Sequence, residues 1–300
     1  MTNYHTPVML QECIDGLAIK PNGVYIDVTF GGGGHSNEIL KHLNSEGRLI
    51  AFDQDADAQR NLPSDDRFIF IDQNFRYLKN SCRLHGITAV DGILADLGVS
   101  SHQFDQADRG FSTRFNAALD MRMDQTATLT AKQIVNTYTE EQLHKLFGIY
   151  GEIQNAKTLA NAIVTARLTN AIETCSQLKQ AIADCTLKGK ENKYLAQVFQ
   201  ALRIEVNQEM QALYEFLQQS ADLLKKGGRL VVMSYHSLED RPVKNFIAKG
   251  KFSGEVEKDF FGNQIKPLDA VIRKALTATD AEILKNNRAR SAKLRVAEKR

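Results

Sequence analysis

The sequence predicts a doubly wound α/β sheet interrupted by a helical insertion, on three observations. Five short apolar stretches read as buried parallel strands. The first two are joined by a helix-patterned segment that opens on a glycine run. About 130 residues, mostly of helical pattern, then separate the fourth stretch from the fifth, far more than an ordinary crossover needs.

The stretches are VYIDVTF (24–30), RLIAFDQD (48–55), RFIFIDQ (67–73), DGILADLG (91–98) and GRLVVMSYH (228–236). Each is rich in Val, Ile, Leu or Phe, as strands covered on both faces should be. Between the first two, Ile39, Leu40 and Leu43 share one helical face. In the long interval, T-x-x-Q capping boxes open at Thr130, Thr139 and Thr174. Ala156, Leu159, Ala160, Ile163 and Val164 then recur at helical spacing. A long helix is expected from Lys193 to Lys225–Lys226, stopping at Gly227–Gly228. The expected organisation is a discontinuous α/β domain, 1–112 and 201–300, around a helical subdomain, 113–200.

The apolar and charged fractions, 43% and 25%, are those of a soluble globular chain. No window has the length of a membrane span, and MTNYHTPVML lacks a basic segment followed by an apolar one. A cytoplasmic protein without a membrane partner is expected. Cys13, Cys82, Cys175 and Cys185 show no C-x-x-C spacing, which argues for reduced structural thiols and gives no zinc motif. The net charge of +2 conceals an asymmetry. KNNRARSAKLRVAEKR, residues 285–300, holds seven Lys/Arg and one Glu. Such a segment suits a polyanion, and equally reads as a solvated tail.

YIDVTFGGGGHS (25–36) raises the chemical question. Four successive glycines between a strand and a helix suggest close approach to the backbone, by a nucleotide-like ligand or by a tight turn. The dinucleotide fingerprint fits poorly: with Gly31 and Gly33 as its first glycines, its third position is Ser36. Asp27, Asp53 and Asp96 each close a predicted strand, on the edge where open α/β sheets bind ligands. Asp53 is placed to accept hydrogen bonds from ribose hydroxyls. Negative potential there favours a cationic nucleoside over a pyrophosphate, and S-adenosylmethionine has that chemistry. Any one of the three aspartates also reads as a helix N-cap.

Seven blocks then carry a family resemblance: YHTPVML, YIDVTFGGGGHS, DGILADLGVSSHQFDQADRGFS, LDMRMD, VFQALRIEVNQE, SYHSLEDR and NNRARSAKLRVAE. In order and over essentially the whole chain, they resemble the bacterial MraW family of 16S rRNA (cytosine-N4)-methyltransferases. The resemblance implies a Rossmann-like class I methyltransferase sheet, S-adenosylmethionine as cofactor and no metal. The implied partner is 16S rRNA or the small ribosomal subunit, with methylation of an exocyclic amine in the decoding region, and no DNA is expected. It implies cofactor contacts at Gly33, Gly34, His35, Asp53, Phe75, Asp96 and Gln103. DLGVSS stands where many amino-methyltransferases carry a proline–proline–aromatic element, so that element's roles do not transfer. Asp96 is the first candidate to receive the amine's hydrogen bonds, ahead of Ser100, Ser101 and His236. Arg109, Arg114, Arg122, Arg203, Arg288, Arg290 and Arg295 are candidate phosphate contacts, each also readable as half of a surface salt bridge. Asn287 and Tyr235 depart from the family's usual Pro and Phe, and neither departure is expected to touch a cofactor position.

Three other readings stay open on the residues alone. They are a nicotinamide-dependent dehydrogenase, a non-catalytic RNA-binding protein on the same fold, and a methyltransferase acting on DNA or a small molecule.

Overall fold

The computed structural model describes residues 7–186 and 188–300. The first residues of the YHTPVML block, 4–6, lie outside them. The chain forms two compact units, 1–98 with 210–300, and 99–209.

In the first unit the elements run α1 (Leu10–Leu17), β1 (Val24–Asp27), α2 (Gly34–His42), β2 (Arg48–Asp53), β3 (Phe68–Asp72), α3 (Leu78–Leu84) and β4 (Val90–Asp96). The second unit contributes α4 (Ser101–Asp105), α5 (Ala131–Thr137), α6 (Glu140–Tyr150), α7 (Ala156–Thr169), α8 (Cys175–Ala181) and α9 (Glu191–Val206). The chain then returns through α10 (Glu209–Leu223), β5 (Leu224–Ser234), α11 (Ser237–Lys249), β6 (Leu268–Ala270), α12 (Asp280–Lys285) and β7 (Lys293–Lys299).

The seven strands make one sheet in the order β3-β2-β1-β4-β5-β7-β6. The pairs β1–β2, β2–β3, β1–β4 and β4–β5 are parallel, while β7 runs antiparallel to both β5 and β6. Successive crossovers proceed outward from β1 to β3, then restart at β4 on its other side. The strand ends at β1 and β4 therefore open a crevice at the switch point. Apolar strand residues fill both faces: Ile26, Leu49, Ile50, Phe52, Ile93 and Leu94 are all inaccessible to solvent. Helix α1 packs so closely that a Cβ on Gly16 would stand 2.9 Å from Val296 and 3.2 Å from Val231.

All five expected strands form, and β6 and β7 are additional. The basic C-terminal segment is not a solvated tail from Lys293 onward. It alternates: Leu294 and Val296 are buried, whereas Lys293 is exposed. Its strand carries too many cations for an apolar-run search to find. The expected single helix from Lys193 is also broken. It ends at Val206, and Gln208 takes a left-handed φ of 49° before α10 begins. Asn207 fastens the break, its Nδ2 donating to the Met121 carbonyl at 2.8 Å and its Oδ1 accepting from the Met123 amide at 2.7 Å. Strand β5 starts at Leu224, three residues before the expected stop at Gly227–Gly228, and passes Gly227 at φ 76° beside an irregularity in its pairing with β4.

The second unit has its own core, which includes Leu143, Phe147, Leu159, Ile163, Val198 and Leu202. Thr130, Thr139 and Thr174 each make the reciprocal capping box expected of them, with Gln133, Gln142 and Gln177. The unit boundaries fall at 98/99 and 209/210 instead of 112/113 and 200/201. All of α9 belongs to the helical unit because Val198, Phe199, Ala201, Leu202 and Val206 are part of its core. Among the described residues, no helix is long and apolar enough to cross a membrane, and the four cysteines are buried and unbridged.

Because β7 lies between two other strands, its buried side chains should carry stability that its exposed lysines do not. Leu294→Ala should lose about 2–5 kcal/mol in urea unfolding, and Lys293→Ala no more than about 0.5 kcal/mol.

Candidate active site

The site begins with the conformation of the glycine run. Gly33 has φ 75° and sits at the N-cap of α2. A Cβ there would stand 2.9 Å from the Phe30 ring, and one on Gly34 would meet Pro7. At these two positions the close approach comes from the protein's own side chains and from a left-handed turn.

The strand ends supply the chemistry. Asp27 is buried at the end of β1, with Oδ1 accepting from the Thr29 amide at 3.1 Å and Oδ2 from the Ser36 hydroxyl at 2.7 Å. Its burial pushes the carboxyl above the usual carboxylate range, opposed by nearby His35 and these donors. Asp53, at the end of β2, accepts from the Gly31 amide at 2.7 Å and the Asp55 amide at 2.9 Å. Desolvation raises it to about 6 despite both bonds. Each of its oxygens retains a lone pair for a further donor. Asp96, at the end of β4, accepts from the Tyr235 hydroxyl at 2.8 Å, while its Oδ2 lies 4.0 Å from His35 Nδ1. Burial raises this carboxyl too, to about 6, against the opposing pull of His35 and Tyr235. The Asp96 amide donates to Thr29 Oγ1 at 2.7 Å, so one threonine bridges the two sides of the switch point.

His35 is buried on the first turn of α2, its Nε2 3.3 Å from the Val8 carbonyl oxygen. Phe75 is half-buried in a 3-10 turn (Phe75–Tyr77) and packs edge-on against Phe216 at 5.4 Å. His236 precedes α11, with Nε2 3.0 Å from Glu239 Oε1. Gly33, Gly34, His35, Asp53, Phe75, Asp96 and His236 all lie in the first unit. Gln103, Ser100 and Ser101 lie in the second. Ser100 and Gln103 cap α4 reciprocally: the Ser100 hydroxyl accepts from the Gln103 amide at 3.2 Å, and Gln103 Oε1 accepts from the Ser100 amide at 3.0 Å. Ser101 opens that helix, and its side chain lies outside what the structure describes.

The arginines are dispersed. Arg109 is buried and donates to the Arg122 and Met123 carbonyls. Arg122 forks onto Asp120, Arg203 onto Glu209 and Arg295 onto Asp240. Arg114 is exposed beside Asp105, Arg290 is exposed, and Arg288 is half-buried.

One expectation about the family pattern needs correction. Tyr235, taken as a departure remote from the cofactor positions, donates its hydroxyl to Asp96. Thr29 and Ser36, which hold Asp27, are legible only in part: both stand in the glycine-rich stretch, but as donors to a carboxylate they have no motif. A fourth strand-end acid, Asp72 on β3, is exposed and accepts from Gln59 at 2.8 Å.

A doubly wound sheet of this order, with one antiparallel strand inserted beyond β5 and a row of acids at the strand ends, is the Rossmann-like sheet of a class I methyltransferase. The model of the MraW methylase family matches residues 2–300, and the chain belongs to that family. It is 56% identical to the ribosomal RNA small subunit methyltransferase H of Christiangramia forsetii, over 100% of this chain and 99% of the relative. It is 58% identical to the protein of the same name in Parabacteroides distasonis, over 99% of this chain and 97% of the relative.

Burial holds Asp96 at about 6 in the folded chain, above the usual carboxylate range of about 4, so the folded state binds the extra proton between those values. Its ionisation therefore costs stability as pH rises through that window. Asp96→Asn should gain stability relative to the parent by about 2 kcal/mol between pH 4 and pH 8, read as the pH-dependent part of the difference in urea unfolding.

Proposed function

We propose that this chain transfers a methyl group from S-adenosylmethionine to the exocyclic N4 of a cytidine in the decoding region of 16S rRNA, on the small ribosomal subunit. The observation that carries the reading is the set of carboxylates at the ends of β1, β2 and β4, Asp27 buried and Asp53 and Asp96 half-buried, in a chain of the MraW family. The relatives' name supports ribosomal RNA of the small subunit as the substrate class. The N4 position and the decoding region come from the sequence resemblance.

The donor set suits this cofactor. A cationic nucleoside is attracted to the acid row, whereas a pyrophosphate would be repelled by it. Bound, S-adenosylmethionine supplies an electrophilic methyl on a sulfonium. Asp53, held by the Gly31 and Asp55 amides, presents its remaining lone pairs to ribose hydroxyls. Phe75 offers an aromatic surface to the adenine. Gly33, Gly34 and His35 line the methionine end. Gln103, though also a helix cap, is retained as a cofactor contact.

The cytosine amine is a weak nucleophile because its lone pair is delocalised into the ring. Catalysis therefore depends on orienting that lone pair and accepting hydrogen bonds from the N–H groups as nitrogen becomes tetrahedral. Asp96 does this with Oδ2, since Oδ1 is engaged by Tyr235. Ionised Asp96 can take the departing proton, and its value near 6 leaves it ionised at neutral pH. Ser100, Ser101 and His236 are secondary candidates for the same task. The cytidine must leave its stack to reach this edge, which requires a grip on the flanking backbone. Arg290 and Arg114, the most exposed of the candidate arginines, are the first to test for it.

The test is transfer of labelled methyl to small subunits from a strain lacking the relevant methylase, with nucleoside analysis of the product. N4-methylcytidine should appear, and Asp53→Ala should abolish it by weakening S-adenosylmethionine binding. Tight cofactor binding without a labelled subunit would overturn the RNA assignment. Tyr235→Phe should keep its activity above pH 8 and shift the acid limb of the kcat profile to higher pH, because Asp96 loses a hydrogen bond that favours its charged form.

A further inference from the structure

Between α11 and β6 the chain makes a small hairpin, in which Lys258 bridges Gln264. At its tip stand Phe260 and Phe261, 98% and 85% exposed. Their rings are nearly perpendicular, with centroids 5.6 Å apart. This is not a loose loop. The Asp259 carboxylate accepts from the Phe261 amide at 2.9 Å, the Asn263 amide at 2.8 Å and the Asn263 side chain at 3.0 Å, while the Asp259 amide donates to the Asn263 carbonyl at 2.9 Å. The held turn thus presents two adjacent aromatic rings to water, where they gain nothing in the isolated protein.

The register shows where they stand. Leu268 pairs with Lys299, and Glu298 and Ala297 oppose Arg229 and Leu230, which precede on β5 the Met233 that pairs with Asp96. The hairpin, which precedes Leu268, therefore lies off the sheet end opposite Asp27, Asp53 and Asp96. Cations border that end: Lys20 and Lys225 share Asp91, Lys266 and Arg300 share Asp269, and Lys251 pairs with Glu257. Lys226, Lys258 and Lys299 make no ion pair with any described residue.

We propose that the Phe260–Phe261 tip is an RNA-stacking finger, which inserts against unpaired bases of the substrate RNA at a distance from the methylated cytidine. Every base offers a π-face, so exposed aromatics with surrounding cations recognise single-stranded RNA without reading sequence. The perpendicular rings present faces in two directions, suited to a splayed loop rather than a stacked helix. The placement rests on the proposed rRNA activity and extends it: an enzyme gripping its substrate at both sheet ends favours a folded ribosomal particle over a short RNA.

The chain contains no tryptophan, so Phe260→Trp creates a single indole reporter at the tip. Its emission should be quenched by small ribosomal subunits and by a single-stranded oligouridylate, with affinity falling as salt rises. The double variant Phe260→Ser, Phe261→Ser should raise KM for subunits by roughly tenfold, with kcat and S-adenosylhomocysteine affinity unchanged. The oligouridylate arm needs no methyl transfer, so it reads the finger even if the proposed reaction fails. Emission insensitive to both RNAs would overturn the proposal, as would an unchanged KM. So would an indole signal that depends on protein concentration alone, which would make the tip a contact between copies of this chain.

Discussion

Everything at the candidate active site depends on holding three carboxylates in a desolvated crevice without letting them repel each other apart. The protein manages this by giving each its own donors: Ser36 and the Thr29 amide for Asp27, two loop amides for Asp53, and a tyrosine hydroxyl for Asp96. These donors are neutral, and His35 lies beside the row. They stabilise ionised oxygens without cancelling the negative potential. A row of arginines would have made the same acids more acidic and left nothing to attract a cation.

The glycine-rich loop follows from the same arrangement. Gly31 must offer its amide to Asp53, and Gly33 must turn through a left-handed φ to start α2, which in turn brings Ser36 back to Asp27 and His35 toward Asp96. Loop, helix start and strand ends therefore form one hydrogen-bonded unit. Thr29 ties it across the switch point by accepting from the Asp96 amide.

Much of this was legible in the sequence. Apolar runs located the five parallel strands, T-x-x-Q boxes located three helix starts, and acids at strand ends marked the crevice. Other features had no local signal. Strand β7 hides among lysines and arginines because a strand next to the sheet edge needs only alternate apolar positions. The α9–α10 break is invisible to periodicity, since the apolar pattern continues across it and the cause lies in Asn207 reaching residues some eighty positions earlier. Tyr235 reads as one more aromatic at a strand end, and only three dimensions show its hydroxyl on Asp96. Ion-paired arginines, too, are indistinguishable in sequence from exposed ones: Arg295 and Arg290 are five residues apart, one locked to Asp240, the other open to solvent.

The insertion of β7 between β5 and β6 also sets an order of events during synthesis. Residues 99–209 are contiguous and hold their own core, so they can fold as soon as they emerge. The sheet has no such freedom. Its first four strands are made before residue 97 and β5 by residue 234, yet β5 remains an open edge, with Leu230 and Val232 ready to pair, until the segment 293–299 arrives about sixty residues later. From residue 209 until that segment arrives, the nascent chain therefore carries a complete helical unit and an incomplete sheet, and the last strand to be made is the one that closes it.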